Sequence, residues 1–130
     1  MKTLLPPGWP RPKGYSSGVS ARGRTIFTAG VVGWDEEERF VSPTMAGQFA
    51  QVLRNILAIL AEDGAGPEHV VRMTCYVTSR DDYVASVREI GAAWRATMGK
   101  NFPAMAVVEV SALVEPEAKV EIEATAVVPE

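Results

Sequence analysis

The stretch His69-Val70-Val71-Arg72-Met73-Thr74-Cys75-Tyr76-Val77-Thr78 alternates with a period of two residues. Successive side chains of a strand point to opposite faces, so Val71, Met73, Cys75 and Val77 share one side. Val70, Arg72, Thr74, Tyr76 and Thr78 share the other. One side is dry and the other mixed, which predicts a strand covering a core with one face only. Cys75 falls on the dry side and reads as a small buried hydrophobe rather than a nucleophile.

Upstream of this strand, Ser42-Pro43 supplies a capping hydroxyl followed by proline at the first helical position. Apolar residues then recur at Met45, Phe49, Val52, Leu53, Ile56, Leu57 and Leu60, the stripe of an amphipathic helix. Asp63-Gly64-Ala65-Gly66-Pro67 ends it. Downstream, a second helix is predicted over residues 80–98, with Val84, Val87, Ile90, Gly91, Trp94 and Met98 on its stripe. Two further strands, 104–113 and 119–128, are joined through Glu115-Pro116-Glu117.

Near the N-terminus, residues 15–21 and 25–32 are rich in β-branched and apolar types and are separated by Arg22-Gly23-Arg24, which predicts a hairpin turning at Gly23. Residues 1–13 hold Pro6, Pro7, Pro10 and Pro12. Proline has no amide hydrogen for a ladder, so this segment is expected to be an extended lead-in, pinned to the domain by Trp9. Asp35-Glu36-Glu37-Glu38-Arg39 reads as a solvated loop.

The order ββαβαββ within a single domain, residues 1–130, predicts an α+β two-layer sandwich with both helices on one sheet face. The other face is expected to carry Arg72, Thr74, Tyr76, Glu109, Ser111, Glu121, Glu123 and Thr125, mixed with Val70, Met105 and Val107. A face neither dry nor wholly polar suits packing between subunits, with clefts at the seams.

Composition agrees with one globular domain. The chain has 130 residues, 47% of them hydrophobic, enough to build a core and too apolar for disorder. Thirteen basic residues face sixteen acidic ones, for a net charge of −3. No basic stretch exceeds Arg22-Gly23-Arg24, which argues against nucleic acid as a partner. One cysteine and one histidine build neither a disulfide nor a metal site. Leu4 and Leu5 are cut off by prolines and no long apolar run follows, so neither a signal peptide nor a membrane span is expected, and the cytoplasm is the default location.

Motifs for metal hydrolysis, phosphate binding or a serine nucleophile are missing. His69, after Glu68, reads as an exposed strand-start residue. Glu121 and Glu123 alternate with Val120, Ile122 and Ala124 and so point away from the core, with Cα atoms roughly 7 Å apart. In a partly dry cleft such an acid can pass protons to and from a bound water; in the open it is simply a solvated charge. Arg88 and Arg95, two helical turns apart, suit either a snorkelling rim or an anion anchor at a subunit boundary.

Taken together, Gly14-Tyr15-Ser16, Ile26-Phe27-Thr28-Ala29-Gly30, Gln48, Asn55, the 69–77 strand, Phe102-Pro103-Ala104 and Val120-Glu121-Ile122-Glu123-Ala124-Thr125-Ala126 resemble the Rid family, also known as RidA/YjgF or endoribonuclease L-PSP. The likeness runs from about Gly14 to Val128. It implies a chorismate-mutase-like fold assembled as a homotrimer with three ligand clefts between subunits. In the enzymatic branch the cleft hydrolyses reactive enamines and imines released by pyridoxal-phosphate enzymes to a keto acid and ammonia, without metal or organic cofactor. The resemblance makes Glu121 the residue that positions water, Gly30 the donor of an orienting backbone amide and Tyr15 the cleft tyrosine.

Four positions depart from the family pattern. The arginine expected after Pro103-Ala104 is Met105, the serine before the glycine is Ala29, the cysteine two residues beyond position 105 is Val107, and a helix asparagine is Arg88. A thioether offers a carboxylate neither charge nor paired donors. The expected substrate-binding set is therefore Tyr15, Ala29, Gly30, Arg88, Met105 and Val107, with Arg88 restoring a cation from another direction. The leading expectation is an enamine or imine hydrolase of altered specificity, an aminomuconate-like substrate included, acting on a small carboxylate or enamine ligand. The alternatives are a non-catalytic small-molecule-binding trimer and, against the acidic balance, a ribonuclease or translation inhibitor.

Overall fold

A computed structural model describes residues 1–130. In chain order it contains β1 (Lys2–Leu4), β2 (Gly18–Ser20), β3 (Arg24–Phe27), β4 (Val31–Val32), α1 (Met45–Ala61), a 3-10 turn (Pro67–His69), β5 (Val70–Val77), α2 (Arg80–Ala85), α3 (Val87–Thr97), β6 (Ala104–Glu109) and β7 (Val120–Val128). The main sheet runs β3-β7-β5-β6, with the short β4 also paired to β7. β7 is antiparallel to β3, β4 and β5, while β5 and β6 are parallel. Both long helices cover one face of this mixed sheet, so the fold is the expected α+β two-layer sandwich.

The core forms where α1 meets the sheet. Phe49, Val52, Leu53 and Ile56 of α1 pack with Met73, Cys75 and Val77 of β5 and with Val120, Ile122, Ala124 and Ala126 of β7. Ile90 and Trp94 of α3 close the layer. Each large aliphatic side chain buried this way contributes about 1.5–3 kcal/mol relative to exposure. Gln48 is the polar exception: its Nε2 donates to the Ser42 and Glu117 carbonyls and its Oε1 accepts from the Lys119 N–H. Its buried amide thus ties the entry of α1 to the entry of β7.

Several local expectations are corrected. The 15–21 and 25–32 segments do not form a hairpin: β2 pairs with β1, and β3 pairs with β7. Gly23, with φ of 147°, lies so close to Val128 and Pro129 that a Cβ there would sit 3.1 Å from the Pro129 Cα. It serves the β3–β7 approach rather than a two-residue turn. The lead-in accordingly contains a strand, β1, and Trp9 does not pin it, being 61% exposed. The first helix is capped by Thr44, whose Oγ1 accepts from the Gly47 N–H, so Pro43 precedes the cap. The second helix breaks at Ser86, where φ and ψ of −100° and 5° end α2 and begin α3. Serine's local hydrogen bonding favours such junctions over helix interiors.

Two corrections change which residues share a face. A register shift between Val70 and Arg72 turns Val70 into the core and Val71 out of it. On β6, Met105 and Val107 stand beside Met73 and Cys75 in parallel register. Neighbours in register point to the same side, so Met105 and Val107 belong to the helix-covered face, not the open one. Glu109 follows them and accepts from the Arg80 N–H at the start of α2. Arg72, Thr74, Tyr76, Glu121, Glu123 and Thr125 keep the open face, as expected. His69 is half-buried, its Nδ1 accepting from the Gly66 N–H, which makes it a loop-closing group.

Candidate active site

The sheet divides the candidate residues into two groups. The first lines a cavity of about 460 Å³ between α3 and the outer strand β6. Tyr15, Met105 and Val107 are in its wall, together with Phe49, Tyr83, Trp94 and Phe102. Tyr15 is brought there by its neighbour Ser16, whose N–H donates to the Pro103 carbonyl and whose hydroxyl donates to the Phe102 carbonyl. Trp94 and Phe102 stack with ring centroids 6.3 Å apart and planes within 5°, and the Trp94 indole donates to the Asn101 carbonyl at 3.2 Å. The Tyr83 ring lies 6.4 Å from Phe49, and burial raises its phenol above the usual value.

The second group lies on the open face. β7 presents Glu121 between Tyr76 of β5 and Val32 of β4, its register partners. Its neighbours Val120 and Ile122 are fully buried on the other side. Thr28 clamps the link between β3 and β4 onto β7: its N–H donates to the Ala124 carbonyl at 2.9 Å, and its Oγ1 accepts from the Ala124 N–H at 3.0 Å. Ala29 and Gly30 follow directly, and Gly30 passes over the Glu121 side chain. A Cβ at position 30 would lie 2.9 Å from the Glu121 Cδ and 3.2 Å from its Cγ. Only glycine leaves the carboxylate its place. The Gly30 N–H has no hydrogen-bond partner in the chain, so an unused donor stands beside an acid.

Two residues further along β7, on the same face, Glu123 is engaged differently. It accepts from the Tyr76 hydroxyl at 2.8 Å. That hydrogen bond, with burial and the nearby carboxylate charges, raises the Tyr76 phenol above its ordinary value. Glu123 is thus occupied by a neighbour, whereas Glu121 is not.

Within one chain the two groups lie on opposite faces of the sheet and do not meet. Tyr15, Met105 and Val107 are on one side; Ala29, Gly30 and Glu121 are on the other. Arg88 is exposed and does not line the cavity. Arg95 does, together with Lys13. Helical spacing does not separate the two arginines, which lie seven residues apart and so within about 20° on one side of the helix. What differs is their place along α3: Arg88 is in its first turn and Arg95 in its last, one turn beyond Gly91. Lys13, in the lead-in, had no periodicity to point to it. A roomier groove of about 720 Å³ runs between the 40–43 loop and the 111–119 connection, but holds none of the candidate residues. No three His, Cys, Asp or Glu side chains gather in a group that could hold a metal ion, and no helix is long and apolar enough to cross a membrane.

Comparison with known proteins shows what the whole chain is similar to. Residues 10–128 match the family model described as endoribonuclease L-PSP. A RutC family protein of Pyrococcus abyssi is 35% identical over 118 residues, covering 90% of this chain and 89% of the relative. The human 2-iminobutanoate/2-iminopropanoate deaminase is 33% identical over 105 residues, covering 80% and 73%. Among solved structures, a protein of unknown function of the conserved Rid family from Yersinia pestis superposes with a TM-score of 0.82 at 33% identity, covering 98% of each chain.

Proposed function

This chain belongs to the endoribonuclease L-PSP family, the Rid or YjgF proteins, and from that premise we propose that it hydrolyses a reactive enamine or imine to a carbonyl compound and ammonia. The reaction takes place in a cleft closed by a second copy of the chain, in an assembly of three. The observation that carries this reading is the pairing of Glu121 with the bare Gly30 backbone: a free carboxylate next to a free N–H. An acid that accepts a proton and a donor that holds a ligand oxygen are the two groups that addition of water to a C=N bond requires.

The steps balance without a cofactor. An enamine first tautomerises to the imine. Solvent protonates the imine nitrogen to the iminium, and Glu121 takes a proton from water as the water oxygen forms a bond to the iminium carbon, which gives the neutral carbinolamine. Glu121 then passes that proton to the nitrogen, the C–N bond breaks and ammonia leaves, and the hydroxyl proton returns through the Glu121 carboxylate to solvent as the carbonyl forms. The Gly30 N–H donates to an oxygen of the ligand and fixes its orientation. Tyr15 and the aromatic wall exclude bulk water from the other side. The name of the human relative supports the reaction class, and the separation of the half-sites onto opposite sheet faces supports assembly between copies.

Ammonia release from freshly generated 2-imino acids and from aminomuconate tests the reading. Wild type is expected to accelerate release, and Glu121→Ala to lose about 100-fold or more, the usual share of a positioned acid or base. Saturable binding of a carboxylate ligand by wild type with no acceleration would overturn it in favour of a non-catalytic binder, a reading that the apolar Met105 favours.

A further inference from the structure

We propose that Arg95 is the anion anchor of the cavity, and that it selects imino acids with a large, flat or extended apolar side chain over those of three or four carbons. The inference rests on the hydrolase reading for the reaction class alone; the anchor itself is argued from charge, shape and packing.

The charge lining comes first. Arg95 and Lys13 line the cavity and no aspartate or glutamate does, although the chain carries a net charge of −3. Such a local excess of positive charge in an acidic protein favours an anionic ligand. The ion pairs of the chain engage Arg24, Arg39, Arg80, His69 and Lys119 with neighbouring acids. Arg95 takes part in none of them. A guanidinium without a carboxylate partner keeps its forked donors available for one.

Packing then aims it. A Cβ at Gly91 would meet nothing nearer than the Arg95 Nη1, at 3.5 Å. The guanidinium therefore lies back along α3 over the bare Gly91 backbone, at the mouth of the cavity. Arg88 has no such position.

Shape sets the rest of the ligand. The wall behind Arg95 is apolar and aromatic, with the stacked Trp94–Phe102 pair and the thioether of Met105. A cavity of about 460 Å³ falls in the range that encloses ligands much larger than a three-carbon acid. With methionine at position 105, the interior offers van der Waals contact and no charge. The carboxylate is thus held at the rim and the side chain is buried inward. This arrangement rewards apolar bulk.

Calorimetric binding of 3-phenylpropanoate, its neutral amide and propanoate tests the anchor. These probes carry no C=N bond, so their binding is independent of turnover. Wild type is expected to bind 3-phenylpropanoate most tightly. Arg95→Ala should weaken it about tenfold or more, the scale of a charge-assisted bond, while leaving the amide unaffected. Arg95→Lys should recover part of the loss, and Arg88→Ala should bind as wild type does. Equal binding of 3-phenylpropanoate by wild type and Arg95→Ala, or propanoate binding as tightly as the phenyl acid, would overturn the proposal. Either result would leave ammonia release by Glu121 standing, whereas a chain that binds these acids through Arg95 but releases no ammonia would keep the anchor and lose the hydrolase.

Discussion

Gly30 and Glu121 share one space: the carboxylate fills the position from which any side chain at residue 30 would grow, within 2.9 Å of the Cδ and 3.2 Å of the Cγ. Ala29 and Gly30 are set there by the Thr28 clamp on Ala124, and Glu121 by the register of β7. The donor and the acid are therefore positioned by separate elements, and a single methyl group is enough to part them.

Gly30→Ala is accordingly expected to push the Glu121 side chain off the Gly30 amide. Position 30 is exposed and has no positive φ, so the backbone accepts alanine and the thermal midpoint should change little. Ammonia release should fall by about tenfold or more, the scale set when a catalytic group is displaced by about an ångström rather than removed. Unchanged turnover at unchanged stability would show that the close approach has no catalytic role.

Cys75 gives a prediction in pH. Burial raises its thiol from an ordinary value near 9 to about 12, since low dielectric disfavours the thiolate. The native thiol should therefore stay unlabelled by a thiol-reactive disulfide reagent at pH 8, and one thiol per chain should react in denaturant. The sign for stability follows from the raised value. The unfolded chain ionises first, so the contribution is whole below about pH 9 and is lost as pH rises towards 12. Denaturant midpoints measured from pH 8 to 11 should fall more steeply for wild type than for Cys75→Ala. Rapid native labelling at pH 8 would contradict the buried placement.

Gln48 is the buried polar residue on which the most backbone depends. Its amide satisfies the Ser42 and Glu117 carbonyls and the Lys119 N–H. Gln48→Leu keeps the volume and leaves all three backbone groups without that partner, so a loss of about 2–4 kcal/mol is expected in urea unfolding. A loss below about 0.5 kcal/mol would mean that those groups find other partners.

The layered fold was legible because its signals are local. The period-two strand at 70–77, the stripe of α1 and the closing strand each carry their own pattern. Strand partners were not. Residues 15–21 and 25–32 look like a hairpin, but β3 finds a better partner in the distant β7, and no local spacing reports that choice. The irregularity at Val70 and Arg72 also leaves no trace in the alternation, yet it exchanges the faces of Val70 and Val71. For the candidate site, the open face of Glu121 was legible from the alternation of β7 and Gly30 came from the family resemblance alone, while the face of Met105 and Val107 depended on the parallel register with Met73 and Cys75. Arg88 and Arg95, seven residues apart on one side of α3, could not be told apart by spacing; the choice needed the place of the cavity along the helix, beside Gly91 and Trp94.

The central claim is that one working site takes Glu121 from one copy and the Tyr15–Arg95 cavity from another. Mixing two inactive variants measures it most directly. Gly91→Trp fills the cavity from an open helix position, where a Cβ meets only the Arg95 side chain, and Glu121→Ala removes the acid. Refolded together in equal amounts, they should regain ammonia release at about a quarter of the seams, because a cyclic assembly pairs an intact cavity with an intact acid that often. A mixture as inactive as its two components would place both halves of the site within a single chain and contradict the account.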